Sequence, residues 1–332
     1  SRPFRRGPCG HPSRRNEGLK VMGTLFRRYG KTLTGAFVFL TAFWLLALVI
    51  LPNITLFEAS FRPYLPVVDI GGPKDVYSLD NYGKFLKNPV PASFFGYEFE
   101  MPVHLKTFLA TVFYSAFVTF VTFLLSYPLA YYLAKVVSPQ SLPTLVLLLF
   151  IPLWVSEALR AFAWYIILTL NGPLNAVLVG IGLLDKPIRW QNGVITDYDA
   201  IVIGLVYTYT LFMMFPIYGS IQSLDTNQIE ASEDLGAKWW QTHWRVILPH
   251  AKPGIASGSV MVFMLCAGSL LVPSVLPSTR SNWFTQTIQQ WMLESQDWNT
   301  GAAYSFLYIL LCTVVVTLAM WLFKVKLSDI AK

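Results

Sequence analysis

The side chains able to do chemistry are few, and their spacing builds no catalytic site. The chain has four histidines and three cysteines. His11, His104, His243 and His250 show no metal-ligand spacing, and no His-Glu zinc pattern or nucleophile elbow is present. Cys9 lies in a basic stretch, and Cys266 and Cys312 lie in apolar runs. That reads as small apolar filler rather than a disulfide framework. Tyr29-Gly30-Lys31-Thr32 ends like a phosphate-binding loop, but the pattern needs a glycine five residues before Gly30, where Leu25 stands. No strand precedes it, so it reads as a basic flank. The chain is expected to be no enzyme and to bind no cofactor or metal of its own.

Two charges stand out because they interrupt an apolar run. Glu157 and Arg160 are three residues apart, which puts them on one helix face. Charges within a membrane are costly and face protein or a water-filled path. One reading is that they neutralise each other and orient their helix. The other is that Glu157 helps a cationic substrate pass, with Arg160, Trp164 and Tyr207 as candidate neighbours on that path.

A third constellation is polar and compact. It runs Glu230-Ala231-Ser232-Glu233-Asp234-Leu235-Gly236-Ala237, then Lys238-Trp239-Trp240-Gln241-Thr242-His243-Trp244-Arg245, then Val246-Ile247-Leu248-Pro249. Asp225 or Thr226 is expected to cap a short helix carrying Glu230, Glu233 and Asp234 in its first turns, where acids suit the helix dipole. Gly236 permits a sharp turn. A second short helix is expected to end before Pro249. Exposed aromatics among charges suit docking to another protein.

These residues are positioned by apolar helices. Of the 332 residues, 54% are apolar and only 13% charged, against ~25% charged in a typical soluble protein. Six runs are long enough to span a bilayer: 34–56, 108–137, 142–170, 200–221, 255–276 and 302–323. Pro52, Pro128, Pro152 and Pro216 are expected to kink them. The net charge of +7 does not point to nucleic acid, because the basic residues cluster from Arg2 to Lys31, ahead of the first span. With the N-terminus inside, Lys and Arg favour the inner segments roughly two to one. No small-residue cleavage site follows the first span, so a secretory signal is not expected.

The expected organisation is a basic cytoplasmic tail (1–33), a first transmembrane helix (34–57), a periplasmic loop (58–106), a core transmembrane domain (107–324) and a cytoplasmic C-terminus (325–332). The core contains the cytoplasmic loop 225–253. The 58–106 loop is expected to be irregular or to hold short helices. Trp283, Trp291 and Trp298 are expected at the membrane interface.

The polar loop resembles the EAA motif of ABC importer permeases. Glu230, Ala231, Gly236, Val246, Leu248 and Pro249 match, with Ser232 in place of the second Ala and Val246 where Ile is usual. Further stretches resemble the permeases of spermidine/putrescine importers over roughly residues 35 to 325. They are Ile151 to Trp164, Asn171-Gly172-Pro173-Leu174-Asn175, Pro187-Ile188-Arg189, Phe215-Pro216-Ile217-Tyr218 and Asp297-Trp298 before Gly301. Val275-Leu276-Pro277-Ser278 departs from the paired glycines of many relatives.

The resemblance implies an all-α polytopic fold of about six transmembrane helices, the type I ABC importer (MetI-like) permease fold, in the bacterial inner membrane with both termini cytoplasmic. It implies that Glu230, Ala231, Asp234, Leu235, Gly236, Ala237, Lys238, Trp239, Leu248 and Pro249 form a coupling helix and its flank, seated on an ABC ATPase. Implied partners are two ATPase copies, a second homologous permease and a periplasmic substrate-binding protein, besides membrane lipids. ATP and magnesium would belong to the ATPase. A polyamine is the first substrate implied. The alternatives are another small organic solute, such as an amino-acid derivative, or a non-transporting receptor or scaffold that binds a cytoplasmic partner.

Overall fold

The computed structural model describes residues 30, 32–66, 69, 71–94, 97–193, 196–276 and 282–322. The basic tail with Cys9, Lys31 of the Gly-Lys-Thr stretch, the Pro277-Ser278 segment and the C-terminal residues 323–332 lie outside the described residues. Two units are distinguished, residues 1–59 and 60–332.

The first unit is carried by α1, Thr32–Ser60, a helix apolar all round. It runs through Pro52 by way of a π-helical turn at Leu46–Ile50. Proline removes one N–H and crowds the carbonyl four residues back. A π turn shifts that carbonyl to a partner five residues on, so the helix continues.

The second unit opens with a segment of short elements. It holds α2 (Asp80–Gly83), a 3₁₀ turn (Lys84–Leu86) and an antiparallel hairpin of β1 (Pro89–Phe94) and β2 (Tyr97–Pro102). The hairpin was not expected from the sequence, which shows little helical period there and three prolines. Both strands are short, and Phe95-Gly96 separates them in sequence. α3 (Val103–Val136) follows directly and is 34 residues long.

The third apolar run is not one tilted helix. It is α4 (Leu142–Trp154) and α5 (Glu157–Ile167), bent by 84° at Val155-Ser156. Ser156 is extended and its hydroxyl accepts the Leu159 N–H, so it N-caps α5. Glu157 then sits in the first turn, where the helix dipole favours an anion. The capping signal wins over the continuous hydrophobicity.

α6 (Pro173–Gly180) begins after Asn171-Gly172, with Pro173 at its first position. Asn175 explains the clustered motifs around it. Its amide donates to the carbonyls of Thr169, Leu170 and Ile188, and its carbonyl accepts from Ile188 N–H and Trp190 Nε1. One buried side chain thus joins 169–170 to 188–190.

α7 (Asp199–Gln222) is the central helix, packed on α3 and on α9 (Trp239–Gly268), while α3 also meets α9. The α7–α9 approach is close because α9 is bare there. A Cβ at Gly254 would lie 2.3 Å from the Pro216 carbonyl oxygen, and one at Gly258 would lie 2.9 Å from Met213 Sδ. Small residues at such crossings let helix backbones pack tightly where lipid offers no hydrophobic drive. α3 turns a stripe of Thr111, Ser115, Thr119, Thr122 and Ser126 inward, and Ser126 donates to the Thr210 carbonyl of α7 at 2.8 Å.

The fifth apolar run also differs from expectation. α9 starts at Trp239, includes Pro249 and Pro253, and ends at Gly268 rather than Leu276. The short α10 (Leu271–Val275) and α11 (Phe284–Gln289) follow, the latter extended by a π turn to Glu294. The last helix is α12 (Trp298–Leu322).

Asp297 caps α12 by accepting from Thr300 N–H and Thr300 Oγ1, and pairs with Lys84 at 3.2 Å. Trp291 lies under the Lys84 ammonium. Trp283 is no interfacial residue: it is buried, and its indole N–H reaches the Cys266 and Ala267 carbonyls. Trp298 is exposed.

Candidate functional site

Two places bring functional side chains together. The first is an elbow of two helices. α8 (Thr226–Asp234) is capped by Asp225, whose carboxylate accepts Asn227 N–H at 3.0 Å. Its end is a Schellman turn, with Gly236 N–H on Glu233 O and Ala237 N–H on Ser232 O. Gly236 has φ +77°, the left-handed conformation that this turn requires. Ser232 Oγ and Thr242 Oγ1, 2.7 Å apart, tie α8 to the first turns of α9.

The second helix does not stop before Pro249. A π turn at His243–Ile247 brings Leu248 N–H to the His243 carbonyl, so proline enters a widened turn and α9 continues. The elbow is therefore the rigid start of a transmembrane helix, not a free loop.

The acids also lie elsewhere than expected. The first turn of α8 holds no acid, while Glu233 and Asp234 occupy its last turn. Carboxylates there oppose the helix dipole.

The elbow is anchored on one side and open on the other. Leu224, Ile229 and Ile247 are buried beneath it. His243 Nδ1 meets the Tyr127 hydroxyl at 2.8 Å, and its ring lies against Tyr131. Lys135 at the end of α3 bonds the Leu224 carbonyl. Outward, Glu230, Ala231, Asp234, Gly236 and Lys238 are exposed, Leu235 is 88% exposed and Trp239 75% exposed. Ala237 and Leu248 are half-buried and Pro249 is exposed. Trp240 and Trp244 widen the exposed aromatic face.

The second place is where two helices break side by side. The α9–α10 break at Ser269 lies near the α4–α5 break, since α10 packs on α5. A cavity of about 340 Å³ opens there, lined by Glu157, Tyr209, Ser269 and the end of α9. No ion pair joins Glu157 to Arg160. The Glu157 carboxylate instead accepts from the Tyr209 hydroxyl at 3.2 Å, and Arg160 Nε is buried without a hydrogen-bond partner. Mutual neutralisation is thus not the arrangement adopted, although the two residues share a helix.

Tyr207 does not join Glu157. It packs edge-on against Trp164, ring centroids 5.4 Å apart. Tyr209, two residues on and so on another face of α7, is the tyrosine that reaches the carboxylate. The sequence shows both tyrosines but not which face of α7 turns toward α5. Ser269 carried no signal before the end of α9 was known.

With this geometry in hand, the comparisons with known proteins become specific. Residues 23–325 match the family described as binding-protein-dependent transport system inner membrane component. The chain belongs to this family. The permease is 32% identical over 292 residues to the spermidine/putrescine transport system permease protein PotB of Salmonella typhimurium strain SL1344, covering 87% of this chain and 94% of the relative. It is 33% identical over 263 residues to the Escherichia coli K12 protein of the same name, covering 79% and 87%. Its fold is that of a chain in a bacterial ABC transporter involved in the import of the acidic polysaccharide alginate, at TM-score 0.61 and 16% identity over 92% of this permease and 98% of that chain. A second structure, of the alginate transporter in complex with an alginate pentasaccharide-bound periplasmic protein, gives TM-score 0.64 at 17% identity, covering 93% and 100%. The expected polytopic importer-permease fold is therefore the one adopted, as a multi-pass membrane chain.

Proposed function

We propose that this permease is one transmembrane subunit of an ATP-driven importer of polyamines of the spermidine/putrescine type. The observation that carries the reading is its similarity to polyamine permeases over 94% of a relative's length. The exposed elbow on a rigid helix supports the mechanism.

In this reading the chain works with a second homologous permease, two ABC ATPase subunits and a periplasmic binding protein, in the inner membrane with both termini cytoplasmic. ATP and magnesium reside in the ATPase, and this chain holds no cofactor. Glu230, Ala231, Asp234, Leu235, Gly236, Ala237, Lys238 and Trp239 seat in the ATPase. Leu248 and Pro249 belong to the stem that carries the motion. Because α8 is tied to α9 and α9 packs along α7, movement of the seat tilts both helices together. Glu157, Arg160, Trp164 and Tyr207 were the path residues expected from sequence. In this reading Glu157, just after the α4–α5 break, is the charged group on the path, and Trp164 and Tyr207 pack on each other.

Thermal unfolding of the cognate binding protein with putrescine, spermidine, amino-acid derivatives and other small solutes tests the substrate. Stabilisation by a polyamine is expected, and its absence with both polyamines removes the substrate assignment.

A further inference from the structure

The cavity at the paired helix breaks has the chemistry of a cation site. We propose that it binds one primary ammonium group of the substrate, held by the Glu157 carboxylate with the Tyr209 and Ser269 hydroxyls. The proposal rests on the polyamine reading and names the atoms that would recognise such a substrate.

Four observations lead there. First, Glu157 has no cationic partner. Its carboxylate takes one hydrogen bond, from Tyr209, which leaves further acceptor positions open. Arg160 does not line the cavity. Second, Ser269 lines the same cavity, is buried, and sets its hydroxyl beside that of Tyr209. Third, the cavity lies at the C-terminal end of the 30-residue α9, where the helix dipole is negative and carbonyls are left over. Glu157, in turn, stands in the first turn of α5.

Fourth, irregular backbone at membrane depth is tolerated where it lines a path. Here two breaks, Val155-Ser156 and Ser269-Leu270, border one cavity. An ammonium has three donors and no acceptor. The site offers a carboxylate and two hydroxyl oxygens. The cavity of about 340 Å³ lies at the small end of the ~300–1,000 Å³ typical of small-molecule sites. That suits one end of an extended diamine. Exposed Leu265, Leu270 and Leu271 flank it, so apolar surface borders the charged end.

The test uses the whole importer, reconstituted in proteoliposomes with labelled putrescine delivered by its binding protein. ATP hydrolysis stimulated by the liganded binding protein is measured beside uptake. Glu157→Gln is expected to lower uptake at limiting substrate roughly tenfold or more, as for loss of a charge-assisted contact, while the importer still assembles. Glu157→Asp retains most uptake. Ser269→Ala and Tyr209→Phe each reduce uptake by a smaller factor. Normal uptake by Glu157→Gln, with an active wild type, overturns the subsite alone. So does a Glu157→Asp loss as deep as that of the Gln variant, since charge is then not what matters. A wild-type importer that moves neither putrescine nor spermidine overturns the substrate reading and the subsite with it.

Discussion

At the residue scale, the elbow holds charges where its own stability does not want them. Glu233 and Asp234 crowd the negative end of α8, and Lys238 stands at the positive start of α9. Each such charge costs about 0.3–1 kcal/mol at an exposed helix end. Nothing in the elbow's own hydrogen bonding requires them. Local rules broken without internal compensation point to a partner. Replacing Glu233 and Asp234 with lysine is therefore expected to leave Tm unchanged or slightly raised and to abolish copurification of the ATPase. Gly236 separates conformation from contact. A Cβ there meets nothing within 4 Å, so the only obstacle is φ +77°. Gly236→Asn, which tolerates that conformation, is expected to keep the ATPase bound. Gly236→Val, strained by about 1–2 kcal/mol, is expected to lose it in pull-down from detergent.

At the element scale, what the sequence discloses depends on whether a signal is local. The cap at Asp225, the turn at Gly236 and the Asn171-Gly172-Pro173 corner are set by a few neighbouring residues, and each stands where it was expected. Proline misleads at Pro249, because a π turn absorbs it and the helix that should have stopped becomes the stem of α9. Hydrophobicity misleads at Val155-Ser156, where twenty-odd apolar residues conceal a cap. Packing then decides which helices bear substitution. Gly254→Leu places a side chain into the Pro216 carbonyl and Ser220. It is expected to destabilise the α7–α9 pair by at least ~1–3 kcal/mol, read as a lower Tm and a lower yield of monodisperse protein. Asn175→Leu leaves the Ile188 and Trp190 N–H groups unpaired and is expected to lower Tm comparably.

At the scale of the whole molecule, α3 measures the distance between the hairpin and the elbow. Its 34 residues span ~50 Å. The hairpin precedes its first residue, and Lys135 near its last turn reaches the elbow through Leu224. The polar segment 60–102 and the elbow thus lie at opposite ends of α3. A membrane-impermeant maleimide tests the orientation. In sealed right-side-out vesicles of a variant free of native cysteines, Lys87→Cys is expected to label and Lys238→Cys to label only after permeabilisation. The reverse pattern would invert the topology.

The sequence by itself determined that this chain lives in a membrane, that about six apolar runs can cross it, and where one polar elbow turns. Those properties follow from composition and from short-range backbone preferences, which need no knowledge of neighbours. Only the tertiary structure decided what Glu157 faces. A carboxylate three residues from an arginine can pair with it, but rotamers and burial turned Glu157 to Tyr209 and left Arg160 aside. Tyr209 and Ser269 are 52 and 112 residues away from Glu157 in the chain. Their meeting depends on two helix breaks coming together, and long-range contact of that kind is set by packing geometry rather than by any local pattern.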